Sequence, residues 1–174
     1  MMAFQLLGGP VARADDLYKE YLRQQFKGWD GMGVSCVGDD FKYVTQICDA
    51  VASEGRFLAA VAKIKFIYVG KEEPSQRIQK VGDAGLKNPL TVHIVVRATN
   101  GGVAIYGKLW AGNYYRAAVE RDTIADLPLA RNGALEMWSH DVIGVGPVET
   151  LPQAIIDALN GHMKQLITDY VNAP

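Results

Sequence analysis

The stretch "LTVHIVVRATNGGVAIYGKLWA" (Leu90–Ala111) decides the fold. Two alternating runs flank Asn100-Gly101, a dipeptide suited to turn positions that need positive φ, so the pattern predicts an antiparallel hairpin. Side chains two apart share a face of a strand. One face therefore carries Leu90, Val92, Ile94, Val96, Val103, Ile105 and Leu109, which predicts the core side. The other carries Thr91, His93, Arg97, Tyr106, Lys108 and Trp110, a mixture of aromatic and basic groups.

Working outward, "YYRAAVE" (Tyr114–Glu120) is expected to continue the meander, and "ALEMWSHDVIGVG" (Ala134–Gly146) to add a strand after the turn-rich residues 128–133. In "ETLPQAIIDALNGHMKQLITDYVNA", Thr150 and Gln153 fit a capping box and Pro152 sits in a first turn. Ile156, Leu159, Met163, Leu166 and Tyr170 then recur every three to four residues, predicting a long amphipathic terminal helix.

Toward the N-terminus, "GVSCVGDDFKYVTQICDAV" reads as a strand (Gly33–Val37), a turn, and a helix capped by Asp39 or Asp40 with Val44, Ile47, Cys48 and Val51 on one face. Glu54-Gly55 interrupts the pattern, "RFLAAVA" (Arg56–Ala62) is expected to add a further helical turn or two, and "KIKFIYVG" reads as a strand ending at Gly70. Residues 71–89 are polar, carry two prolines and two glycines, and read as a long loop. "DDLYKEYLRQQF" predicts an early helix with Leu17, Tyr21, Leu22 and Phe26 on one side, ended by Gly28. The expected fold is α+β: a two-layer sandwich with a mainly antiparallel four- or five-stranded sheet and helices on one face.

Cys36 and Cys48 are the only cysteines. Cys36 lies roughly 10 Å below the turn at strand rise and Cys48 roughly 12 Å into the helix at helix rise, so a helix folding back on its strand predicts a disulfide. The opening "GGPVARADD" adds a second hint of an oxidising compartment. Ala12-Arg13-Ala14 places small residues where a signal peptidase reads, although residues 1–7 form a short apolar segment without a basic lead. Residues 1–14 therefore read as a signal-peptide remnant, residues 15–174 as one α+β domain, and the location as periplasmic or secreted, the alternative being a cytoplasmic protein with an N-terminal arm.

Eighteen basic residues against 19 acidic ones give a net charge of −1, which argues against general attraction to nucleic acid. No apolar run approaches the roughly 20 residues of a membrane helix. "WSHDV" sets Ser139, His140 and Asp141 side by side, but consecutive strand residues face opposite ways, so they do not form one triad. His140 should share a face with Trp138 and Glu136, and the polar triplet marks a bulge or a sheet edge. His93, His140 and His162 show no ligand spacing, so no metal, cofactor or catalytic residue is predicted. The reading is a non-catalytic exported binding or assembly module that meets a protein partner or a second copy through a sheet face or edge. Its expected binding residues are His93, Arg97, Tyr106, Lys108 and Trp110, because aromatic groups are enriched at interfaces. The alternatives are a small hydrolase or ligand-modifying enzyme built on His140 and nearby carboxylates, and a pocket protein for a small apolar ligand.

Overall fold

The computed structural model describes residues 17, 20–21, 24–71, 74–118 and 130–173, with the backbone alone at 74–75, 77–78, 114–118 and 130–134. Five strands form one sheet: β1 (Met32–Gly38), β2 (Phe66–Gly70), β3 (Leu90–Ala98), β4 (Ala104–Ala118) and β5 (Ala130–Val145). Helix α1 (Val44–Val61) joins β1 to β2, α2 (Pro74–Asp83) joins β2 to β3, and α3 (Leu151–Val171) follows β5. The spatial order is β2-β1-β3-β4-β5.

The fold is α+β, but the sheet is mixed. β1 runs parallel to both β2 and β3, and only β3-β4 and β4-β5 are antiparallel. Parallel neighbours need crossover connections, and two right-handed crossovers that run in opposite directions across the sheet, β1 to β2 and then β2 back past β1 to β3, place their helices on opposite faces. Helix α1 covers the face of Val34 and Cys36, to which Cys48 is bonded. Helix α2 lies on the other face, where a Cβ on Gly33 would meet Val81 at 3.1 Å. The expectation of helices on one face of a mainly antiparallel sheet is thus corrected at the β1–β2 end.

The core lies between α1, α3 and one side of the sheet. Leu90, Val92, Ile94, Val96, Ile105 and Leu109 are all fully buried there, together with Val44, Ile47, Val51, Leu159, Met163 and Leu166. Val103 is the exception on the predicted core face and is exposed. The hairpin turn spans more than two residues: the Gly102 amide donates to Thr99 O at 2.8 Å and Gly101 and Gly102 carry the positive φ values, which pushes Val103 past the edge of the core.

Several local expectations change. Residues 71–89 contain α2, which Pro74 opens from a first-turn position that needs no amide donor. Helix α1 runs unbroken through Gly55, and the residue there is glycine where the helix passes close to Phe66 and Met163 and a side chain would intrude. Neither Asp39 nor Asp40 caps α1, whose N-cap is Tyr43 without a side-chain bond. Asp39 instead ties the β1–α1 turn to β3, accepting from the Phe41 amide at 3.1 Å and the Ala98 amide at 3.0 Å. Thr150 is the N-cap of α3, but its hydroxyl donates to Pro147 O and Gln153 bonds Asp157, so the capping box does not form. "YYRAAVE" begins inside β4 rather than in a strand of its own. Of the early helix, Phe26 is buried against Tyr170 while Leu17 and Tyr21 are exposed; Leu22 and the Ala12–Ala14 motif lie outside the described residues.

Candidate functional site

The Cys36–Cys48 disulfide forms, with Cα atoms 5.8 Å apart. It fastens α1 to β1, and both residues are buried. Among the described residues no helix is long and apolar enough to cross a membrane. At the carboxyl ends of β1 and β3, where strand order reverses, crevices in related architectures hold ligands. Here both Asp39 oxygens accept backbone amides, and Lys71 Nζ donates to Asp39 O at 3.2 Å. Burial raises the Asp39 pKa, but those amides with Arg97 and Lys71 outweigh it and hold the carboxyl below its ordinary value.

The surface predicted on the hairpin is assembled by register. Ser35, His93, Trp110 and Ser139 stand opposite one another across β1, β3, β4 and β5; the next row on this face sets Val95, Lys108 and Asp141 opposite one another, and the one after it Arg97, Tyr106 and Ile143. Within this face His93 is not a surface group. It is buried, its Nδ1 lies 2.7 Å from Ser35 Oγ, and Trp110 stacks on its ring at 4.3 Å. Trp110 and Tyr106 are half-buried, and Arg97 is exposed. Lys108 Nζ reaches both Glu136 oxygens, at 2.9 and 2.8 Å. Burial raises the Glu136 pKa, yet the bonds from Lys108 and Ser139 prevail and keep it below the usual carboxylate value.

Two features of this face escape a reading of the sequence. The first is a bulge: the register with β4 shifts between Ala111 and Gly112, so Gly112 opposes Glu136 while Ala111 opposes Trp138. Glu136 therefore joins Ser139 and Lys108, not His140 and Trp138 as strict alternation implies. A side chain on Gly112 would collide with the Leu135 carbonyl, which fixes glycine at the bulge. The second is the apolar content of β5, the edge strand: Ile143 and Val145 are 72% and 78% exposed. Their alternation signals a strand, but nothing in it tells that none of the described helices covers them.

Ser139 and Asp141 point away from His140, as alternation requires. His140 lies on the α3 side, 4.7 Å from the Trp138 ring and stacked on His162 with centroids 5.1 Å apart. Trp138 Nε1 donates to Asp169 Oδ2 at 2.9 Å. A surface depression on α2 is lined by Gln76, Gln79, Lys80 and Asp83, all polar. Among the described residues, no group of three histidine, cysteine or acidic side chains converges as a metal site would. No family model, curated protein or solved structure matches the chain.

Proposed function

We propose that the chain is a non-catalytic, exported binding or assembly module that meets a protein partner through the β4–β5 side of the sheet. The observation that carries this reading is the exposure of Ile143 and Val145 beside Tyr106, Lys108 and Trp110, on the face opposite α1 and α3. Contiguous exposed apolar side chains rimmed by polar groups mark interaction surfaces. Arg97 belongs to the rim; His93 supports Trp110 from below. The edge adds to the argument. β5 is 16 residues long and so offers an extended row of edge backbone, whereas the opposite edge, β2, is five residues long. Export is supported by the disulfide, since such bonds persist in oxidising compartments.

Capture from extract of the native cell tests the reading, with wild type beside Ile143→Ser/Val145→Ser. A partner retained by wild type and lost by the variant, at unchanged melting temperature, supports it. Identical capture by both overturns it.

A further inference from the structure

On the helix-covered side of β5, His140 and His162 stack with centroids 5.1 Å apart and planes inclined by 27°, one from the edge strand and one from the middle of α3. His140 is exposed; His162 is half-buried, with its Nε2 out of contact with solvent and without a hydrogen-bond partner. We propose that this stacked pair is an acid-sensitive clasp, holding α3 against β5 in neutral solution and loosening it as the imidazoles take up protons.

Neutral imidazoles stack as aromatic rings do, with modest attraction. Two imidazolium ions at the same separation repel, and the buried Nε2–H gains a charge to solvate without an acceptor to receive it. The charged groups around the pair do not neutralise it. From β5, Asp141 faces His162 through its backbone and at longer range through its charge. From α3, Asp169 is engaged by Trp138 and by Gln165, and Asp157 by Gln153. From β4, Lys108 lies on the other face, paired with Glu136. The ionisable residues of α1 are Asp49, Glu54 and Arg56; Asp49 accepts from Tyr68, and none of the three acts on His162.

The electrostatics agree in sign. Burial lowers the His162 pKa below its ordinary 6.5, the charge of His140 lowers it further, and Asp141 opposes them more weakly. The folded chain thus binds fewer protons than the unfolded chain as pH falls through about 6.5. The contribution of His162 is complete above that range and lost toward the folded-state midpoint. This inference does not depend on the open face being a binding surface, because the clasp lies on the other side of β5.

Nuclear magnetic resonance titration of the His162 ring in wild type and H140Q, with melting curves of wild type, H140Q, H162Q and the double variant at pH 8 and 5.5, tests it. In H140Q the His162 midpoint should rise, and the fall in Tm between the two pH values should shrink by about 2 °C. The coupling from the double-mutant cycle should be favourable at pH 8 and unfavourable at pH 5.5. An unchanged His162 midpoint in H140Q, or a coupling that does not vary with pH, overturns the proposal. Should H162Q fail to fold, H140Q at its exposed site carries both readouts alone.

Discussion

Ser35 Oγ and His93 Nδ1 lie 2.7 Å apart at directly opposed positions of the parallel pair β1–β3, both buried. The contact joins two strands 58 residues apart in sequence and sets the height of the ring on which Trp110 rests. Removing one partner of a buried hydrogen bond costs about 1–3 kcal/mol, because the other remains desolvated. Ser35→Ala should therefore lower unfolding free energy by that amount in urea titrations. A change below about 0.5 kcal/mol, the range of an indifferent surface substitution, would show the contact to be dispensable.

The disulfide closes a short loop, with 12 residues of separation. Denatured, unreduced protein should show no titratable thiol, and reduction should expose two. Reduced protein, or a Cys36→Ala/Cys48→Ala double variant, should lose about 3 kcal/mol by the loop-entropy argument. Two free thiols in protein isolated from an oxidising compartment would remove both the bond and the main support for export.

Two helical glycines should respond in opposite directions. A Cβ on Gly55 would lie 2.8 Å from the Phe66 ring and 3.0 Å from Met163 Sδ, whereas a Cβ on Gly161 in α3 would meet nothing within 4 Å. Gly161→Ala should stabilise by up to about 1 kcal/mol through helix propensity alone. Gly55→Leu should destabilise by about 1–3 kcal/mol or more through overpacking. Paired thermal melts decide the matter, and equal effects at the two sites would contradict the packing described.

Asp39 predicts the acid limb of the stability curve. Its folded-state pKa lies below its ordinary 3.8, so its contribution is present above that value and is lost as pH falls through the folded one. Asp39→Asn should flatten the decline in urea midpoint between pH 4 and 2.5 while leaving its slope near pH 7 unchanged. Asp30 and Glu136, whose pKa values are also lowered, keep part of the limb in the variant.

What could be read from sequence was local. The hairpin follows from alternation and one turn dipeptide, α3 from its period and Pro152, and the disulfide from the heights of Cys36 and Cys48 along adjacent elements. The β2-β1-β3 pairing could not be read, because short apolar strands such as Phe66–Gly70 do not name their neighbours, and without it the helix on the second face has no reason to be there. Helix α2 itself was hidden by polarity, since most of Pro74–Asp83 resembles a loop in composition. In the candidate site, the residue types on the hairpin face were legible, but not that Trp110 lids His93, nor that Met137 displaces Glu136, because both depend on what the neighbouring strand places opposite.

The bulge at Met137 also decides where the molecule reaches. β3 accompanies β4 only from Ile105 to Gly112, while β4 and β5 stay paired out to Ala118 and Ala130. The six rungs from Asn113 to Ala118 thus form a two-stranded ribbon without a third strand among the described residues, about 20 Å long at strand rise. The bulge sits at the root of that ribbon, and a bulge increases local twist and bends its strand. Because the extra residue is the unpaired one, deleting Met137 would leave every rung with its present partner, Gly112 with Glu136 and Ala111 with Trp138. The bearing of the ribbon would change, along with the loss of the Met137 side chain that packs against the core, so one residue at its base steers a ribbon several times its own length.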